Sequence, residues 1–325
     1  MSLAPGRIHV AVAAIINDQH QVLISKRPAD VHQGGLWEFP GGKLEAGESI
    51  EEGLLRELQE ELGISPTHAR PLIRIAHDYS DKPVLLDVWR VDRFEGAPVG
   101  LEGQQVKWVS VDHLQFYEFP EANLPIITAI RLPECYLITP EPGMDTSGFL
   151  AGLESSISNG VSLLQLRAKQ MPDKDYRALV PEVLQRCRKT NARVMLNAEP
   201  ELAEEFGAAG VHLSSTRLME LSERPLDDTY LVAASCHSLA ELVQAQKLGL
   251  DFAVVSPVRT TASHPDARTL GFAGLQGLTE RASIPVYALG GMQVTDLSAA
   301  FWHGAQGVAA IRGLWKQALS VDVRE

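Results

Sequence analysis

Cysteine is scarce in this sequence. Cys135, Cys187 and Cys236 are the only three in 325 residues, odd in number and far apart. That pattern argues against a disulfide framework or a cysteine zinc site and suits a reducing compartment, so a cytoplasmic location is expected. Long apolar runs are lacking too. The longest, residues 10–16, has seven residues, against the roughly 18–20 that a membrane helix needs, so no membrane partner is expected. No small-residue cleavage site follows it, and 21–25 reads as a paired strand, which argues against a signal peptide. A basic surplus is missing as well: 29 Lys and Arg against 41 Asp and Glu give a net charge of −12. Residues 1–132 carry 12 basic and 19 acidic side chains, and residues 133–325 carry 17 and 22. Neither half has the cations to neutralise a nucleic-acid backbone, so no nucleic-acid partner is expected. A polyanionic substrate would need metal ions or a few placed cations.

What is present falls into two patterns that meet near Leu132-Pro133-Glu134. Before that joint, alternating apolar segments at 8–16, 21–26, 84–91 and 106–110 are interrupted by one strong helical stretch, 49–62. This is a mixed α/β pattern with mostly hairpin-length connections. After it come eight short β-rich runs, at 135–140, 163–169, 193–198, 210–215, 231–237, 252–258, 285–291 and 307–313. Helical stretches such as 173–190, 238–248 and 294–303 lie between them. Eight βα units point to a closed, compact (β/α)8 barrel, with a doubly wound open sheet as the alternative. The chain is therefore read as two domains, 1–132 and 133–325; its oligomeric state is left open.

The strongest chemical signal is Gly42-Lys-Leu-Glu-Ala-Gly-Glu48 followed by Arg56-Glu-Leu-Gln-Glu-Glu-Leu-Gly-Ile64. On a helix turning about 100° per residue, Glu57, Glu60 and Glu61 share an arc of about 100°, and Leu54, Leu55, Leu58 and Leu62 lie beside it. One side anchors the helix; the next presents three carboxylates together. Ser49 suits the N-cap and Gly63 the left-handed stop. A run of Glu on a helix is commonly a solvated face. Here neighbouring like charges repel, and a hard cation such as Mg²⁺ would compensate them. Arg56 is placed to pair with Glu48, and Gly41-Gly42 lets a backbone carbonyl approach a metal.

Residues 42–64 match the Nudix box at every fixed position: Gly, five residues, Glu, seven residues, then Arg-Glu-U-x-Glu-Glu-x-Gly-U, where U is aliphatic. Residues 7–132 resemble the MutT branch of that family in Lys26-Arg27-Pro-Ala-Asp30, His32, Trp37-Glu-Phe-Pro-Gly-Gly42, Arg93-Phe-Glu-Gly96, Leu101-Glu-Gly-Gln104 and Phe119-Pro-Glu-Ala-Asn-Leu-Pro125. The resemblance implies an α/β/α sandwich with a mixed sheet. It implies Mg²⁺-dependent hydrolysis of an oxidised purine nucleoside triphosphate, 8-oxo-dGTP, to monophosphate and pyrophosphate, with Mn²⁺ as a substitute ion. Glu57, Glu60 and Glu61, with the Gly41 carbonyl, correspond to metal ligands, and Glu102 to a further carboxylate on a loop. Glu48 and Arg56 correspond to the pair that holds the box loop on the helix, and Lys43 faces phosphate. Asn123 corresponds to the residue that reads the purine edge, where an amide can meet both a donor and an acceptor. Arg27, Phe39, Tyr79 and Asp81 correspond to the rest of the base pocket. Metals would neutralise the triphosphate, activate water and fix an in-line geometry, with Glu57 or Glu102 as the candidate proton acceptor. Plainer roles remain open: Asn123 as a turn residue, Arg27 as a surface charge, Phe39 and Tyr79 as core.

Residues 134–319 resemble thiamine phosphate synthase and its thiazole tautomerase relative TenI, through Gln165-Leu-Arg-Ala-Lys169, Val211-His-Leu213, Ala288-Leu-Gly-Gly291 and Gly307-Val-Ala-Ala-Ile311. Arg167, Lys169, Asn197, His237, Thr261, Gly290, Gly291, Ile311 and Arg312 stand at or just after strand ends, where barrels place ligand contacts. Three positions depart from the synthase pattern: Ala198 and Ser214-Ser-Thr-Arg217 where it calls for metal-binding Asp, and His264 where it calls for a loop Lys. The barrel is therefore read as a phosphate-ligand domain for a phosphorylated thiazole or thiamine-type compound. Tautomerase chemistry at His237, synthase activity, a sensor role, a purely structural barrel, and a Nudix unit acting on a thiamine-pathway diphosphate remain as alternatives. Cys236 reads as a small buried hydrophobe.

Overall fold

Alternation along β1 (Ile8–Ile15) organises the N-terminal unit. Ala11, Ala13 and Ile15 face Leu54, Leu58 and Leu62 of helix α1 (Ile50–Leu62). Val12, Ala14 and Ile16 share the opposite cluster with Ile126, Ala129 and Ile130 of α2 (Leu124–Arg131). Successive side chains on a strand point to opposite faces, so one strand buries two helices on two sides and an α/β/α sandwich results. This computed structural model describes residues 7–30, 33–79, 83–261 and 268–319.

The sheet beneath α1 has the order β4-β1-β6-β5, with β4 (Gly41–Lys43), β5 (Ser65–Asp78) and β6 (Pro83–Glu95). β1 and β6 run parallel, and the other pairs are antiparallel, which is the mixed sheet. A second, antiparallel sheet joins β3 (Trp37–Glu38), β2 (Gln21–Lys26) and β7 (Val106–Ser110). β5 has no counterpart in the sequence reading. Pro66 and Pro71 lie in it, and its pairing with β6 shifts register between Pro66 and His68, His68 and Ala69, and Pro71 and Ile73. Such bulges destroy the period of two by which a strand is recognised. α2 was likewise read only as the turn around Asn123. Its start, Leu124-Pro125, tolerates proline because the first-turn N–H groups have no helical partner.

The second unit is a closed parallel barrel. Its strands are β8 (Cys135–Ile138), β9 (Leu163–Leu166), β10 (Arg193–Leu196), β11 (Gly210–Leu213), β12 (Leu231–Cys236), β13 (Phe252–Val255), β14 (Val286–Leu289) and β15 (Gly307–Ala310). Each pairs with the next, and β15 pairs with β8. That closure removes the open-sheet alternative. Tyr136, Phe252 and Tyr287 fill the interior, with ring centroids 5.2–5.6 Å apart. The larger apolar cluster lies between the strands and the surrounding helices. The compact units are Met1–Arg131 and Leu132–Glu325. Leu132 goes with the barrel because its side chain joins the interior cluster and its carbonyl accepts from Gln306 Nε2 at 3.1 Å. Among the described residues no helix is long and apolar enough to cross a membrane.

Candidate active site

Helix α1 is held at both ends. Ser49 Oγ accepts from the Glu52 N–H at 3.2 Å, and Glu52 Oε2 accepts from the Ser49 N–H at 2.8 Å. Gly63 ends the helix at φ 68. A cap of this kind stabilises a helix by about 1 kcal/mol. With Leu54, Leu58 and Leu62 buried, the helix cannot rotate, and the carboxylate arc is fixed toward β4.

Arg56 is the hub of that arc. Its Nε and Nη2 donate to Glu48 at 2.9 and 2.9 Å, and Nη2 also donates to the Lys43 carbonyl at 3.0 Å. Nη1 donates to Glu57 at 2.8 Å and to Glu60 at 3.2 Å. The guanidinium holds the Glu48 carboxyl far below its usual range, at about 2, with help from the Glu45 N–H. Glu57 is 14% exposed and Glu60 57%, so Glu57 faces inward and Glu60 faces water. Glu61 accepts the Gly41 N–H at 3.2 Å. Burial, opposed by the Gly41 N–H and helped by the charges of Glu38, Glu57 and Glu102, lifts the Glu61 carboxyl to about 8.

These residues fit a hard divalent cation. The donors are all oxygen, as Mg²⁺ and Mn²⁺ prefer. A bound cation would favour the ionised form of Glu61, which burial and the neighbouring carboxylates disfavour. Gly42 lets the Glu57 carboxylate lie against the strand: a Cβ there would fall 2.2 Å from that carboxylate and displace it. Among the described residues no three His, Cys, Asp or Glu side chains are already gathered at metal-binding geometry, and Arg56 engages part of Glu57 and Glu60.

A cleft of about 220 Å³ opens beside this cluster, lined by Arg27, Glu38, Phe39, Gly41, Gly42, Lys43, Tyr79 and Asn123 over a floor that includes Val10, Val12 and Leu86. Ligand pockets usually run to roughly 300–1,000 Å³, so this one suits a base rather than a whole nucleotide. Phe39 stacks on Phe119 at 5.5 Å, and Tyr79 lies edge-on to His77 at 4.3 Å. Asn123 sits in a 3-10 turn (Glu121–Asn123), is 8% exposed, and its amide has no hydrogen-bond partner among the described residues. Arg27 is ion-paired with Glu38. Burial raises the Glu38 carboxyl, with Arg27 pulling the other way. Glu38 is a cleft residue that the sequence reading passed over; its signal was an acid inside the apolar segment Trp37-Glu-Phe39. Glu102 is exposed on the loop before β7. Asp81, His32 and His264 lie outside the described residues.

In the barrel, Arg167, Lys169, Asn197, His237, Thr261, Gly290, Gly291, Ile311 and Arg312 follow the C-terminal ends of strands, which in a parallel barrel form one rim. Several are committed to the fold. Asn197 Nδ2 donates to the His212 carbonyl at 3.0 Å. The Arg167 guanidinium lies 3.8 Å from Glu141. Gly290 is backed by the next loop, its carbonyl accepting the Arg259 N–H at 3.0 Å. His237 is exposed, and its Nδ1 donates to the Ser256 carbonyl at 3.0 Å, leaving Nε2 as an acceptor. Arg312 is exposed. Burial pushes the Cys236 thiol up to about 12, so it is no thiolate nucleophile. His212 lies buried between Tyr136 Oη at 3.1 Å and Ser235 Oγ at 2.9 Å.

Comparison with known proteins divides at the same place. The Nudix domain family matches residues 11–129, and the thiamine monophosphate synthase family matches residues 135–314. An 8-oxo-dGTP diphosphatase of Escherichia coli (strain K12) is 40% identical over 125 residues, 38% of this chain and 97% of that protein. A CTP pyrophosphohydrolase of the same organism is 38% identical over 118 residues, 36% of this chain and 87% of its own length. A putative thiamine-phosphate synthase 2 of Aquifex aeolicus (strain VF5) is 34% identical over 182 residues, 56% of this chain and 97% of that protein. Each half has relatives that it spans nearly end to end, and the chain belongs to the Nudix family through its first unit, a pyrophosphohydrolase, and to the thiamine monophosphate synthase family through its second.

Proposed function

We propose that the first unit hydrolyses 8-oxo-dGTP to the monophosphate and pyrophosphate, with Mg²⁺ or Mn²⁺, and so keeps oxidised guanine out of DNA synthesis in the cytoplasm. The observation that carries this is one continuous cleft. It runs from the Asn123 amide, which has no hydrogen-bond partner among the described residues, past Arg27 and Phe39, to Lys43 and the Gly41–Lys43 strand against which Glu57 and Glu61 pack. An amide meets the adjacent acceptor and donor that oxidation creates on guanine; a normal guanine offers two acceptors there.

Glu57, Glu60, Glu61, Glu102 and the Gly41 carbonyl would hold the cation, which supplies Lewis-acid stabilisation of phosphoryl charge. The rest is done by the chain. Lys43 orients the phosphates. Arg56 keeps the box loop on α1 through Glu48. Glu57 or Glu102 takes the proton of the attacking water. Phe39 and Tyr79 flank the base and exclude water from it.

The test is a nucleotide panel on the full chain: 8-oxo-dGTP, dGTP and CTP, the last because of the CTP pyrophosphohydrolase relative. Preferred turnover of 8-oxo-dGTP supports the reading, and equal turnover of 8-oxo-dGTP and dGTP removes it. For the barrel, the reading is a phosphate-ligand domain for a thiazole phosphate or thiamine phosphate, resting on the rim residues Lys169 and Arg312 and on Ala198 and Ser214 in place of the metal-binding acids. Fusion to this barrel also favours a second reading, in which the Nudix unit acts on a thiamine-pathway diphosphate. Adding thiamine diphosphate and a hydroxymethylpyrimidine diphosphate to the panel distinguishes the two.

A further inference from the structure

Two backbone hydrogen bonds and one side chain, Gln104, fasten the loop that carries Glu102 to the end of α1. A helix leaves its last carbonyls without helical donors. Here Gly63 N–H serves Gln59 and Ile64 N–H serves Leu58. The next two carbonyls in need are taken by the loop: Leu62 accepts from Val99 N–H at 3.1 Å, and Glu61 accepts from Leu101 N–H at 2.9 Å. The Glu61 carbonyl also accepts from Gln104 Nε2 at 3.0 Å, and the Gln104 Oε1 accepts from the Glu102 N–H at 3.0 Å. Both ends of this half-buried amide are thus used, one on the backbone of Glu61 and the other on the backbone of Glu102. The residues it joins are the two carboxylates that the helix alone cannot bring together, being 41 positions apart in sequence (102 − 61).

We propose that Gln104 is a positioning residue: it clips the Glu102 loop to the last turn of α1 and so sets the spacing of Glu102 and Glu61 at which the site takes a divalent cation. This rests on the assignment of Glu57, Glu61 and Glu102 made above. Gln104 touches neither substrate nor cation. Its hydrogen bonds define where a neighbour's carboxylate starts from, as outer-shell partners do in other metal sites. The Val99 and Leu101 bonds cap the helix end without it, so its removal leaves the fold standing and frees the 102–104 turn.

The experiment uses the full chain and Mn²⁺ as the probe, with free ion counted by electron paramagnetic resonance before any nucleotide is added. Gln104→Met keeps the length and removes both hydrogen bonds. It is expected to weaken Mn²⁺ binding about tenfold and to lower kcat for 8-oxo-dGTP by a similar factor, with KM unchanged. Gln104→Asn, still polar but one methylene too short to reach both partners, is expected to do the same. Glu102→Gln should match them, and Glu102→Gln combined with Gln104→Met should fall no further, because both act through one carboxylate. Wild-type Mn²⁺ affinity in both Gln104 variants overturns the proposal, and so does a double variant whose losses multiply. Glu57→Gln separates the two levels. If it is inactive while Gln104→Met binds and turns over normally, only the Gln104 assignment falls. If Glu57→Gln turns over normally, the site assignment itself falls.

Discussion

The two units treat their polar residues in opposite ways. In the Nudix unit they are crowded onto one functional surface: Glu57, Glu60 and Glu61 share a helix face, and burial lifts Glu61 to about 8. In the barrel they are absorbed by the architecture. Ser214, where the synthase pattern calls for an acid in the segment 214–217, caps α6 (Ser215–Glu220), its Oγ accepting the Arg217 N–H at 3.3 Å. Arg217 is ion-paired with Glu199. Ala198 carries no donor at all. Yet the barrel closes strand for strand. Its fold rests on apolar alternation and helix caps spread over some 180 positions, whereas metal chemistry rests on two or three, so a fold of this kind can stand whether or not that chemistry is present. A family match over 135–314 therefore carries the architecture and leaves the activity to be argued residue by residue.

The most forceful way to test that contrast is to take the metal away. Chelation of divalent ions, or Glu57→Gln in their presence, removes several kcal/mol of charge stabilisation, and a fall in 8-oxo-dGTP turnover on the order of 10³-fold is expected. Calorimetry of the same full chain with thiazole phosphate should give the same affinity with and without chelator. A barrel ligand that needs Mg²⁺ would mean that other rim residues do the work of the acids absent at 198 and in 214–217.

Specificity gives the next effect. Asn123→Ala deletes an amide that is 8% exposed and lines the base cleft. Losing a buried hydrogen bond costs about 1–3 kcal/mol, so the ratio of kcat/KM for 8-oxo-dGTP over dGTP should fall roughly 10- to 100-fold. An unchanged ratio would reduce Asn123 to a turn residue ahead of α2. Glu38→Gln sharpens the same point from the other wall. It removes the Glu38 carboxylate that pairs with Arg27 in the cleft, and KM for the nucleotide should rise while kcat stays near wild type.

Much of this was legible before any coordinates. The 49–62 helix, the arc of Glu57, Glu60 and Glu61, and the eight barrel strands follow from spacing alone, because period 3.6 and period 2 survive wherever an element is regular. What escaped was irregular. β5 hid behind its bulges and two prolines, β3 is two residues long, and α2 began with a proline. Glu38 escaped for a different reason. Its role depends on which wall of a cleft it lines, and cleft walls are assembled from β1, β3, β4 and β6, which no local window spans. Gln104 escaped likewise, since a side chain that bridges positions 61 and 102 leaves no periodic trace.

The smallest effect lies inside the barrel and concerns pH. His212 is 1% exposed, hydrogen-bonded to Tyr136 and Ser235, and burial presses its pKa down to about 3, with Lys169 adding to the shift. A histidine in an unfolded chain takes its proton near pH 6.5. The folded barrel refuses it until about pH 3, so acidification favours the unfolded state throughout that window. Above pH 6.5 His212 contributes little pH dependence; below it, stability drains by at most about 1.4 kcal/mol per pH unit. His212→Gln keeps an amide that can meet both partners and removes the titration. Hydrogen exchange of barrel amides at pH 7.5 and 5.5, corrected for intrinsic rates, should show the wild type losing about 1.4 kcal/mol more protection than the variant. The amides of β1 and β6, in a unit that contains no part of this network, should show no difference between the two proteins. Equal losses in the barrel would mean that His212 is protonated in place, and that the interior tolerates a charge as the Nudix cleft does.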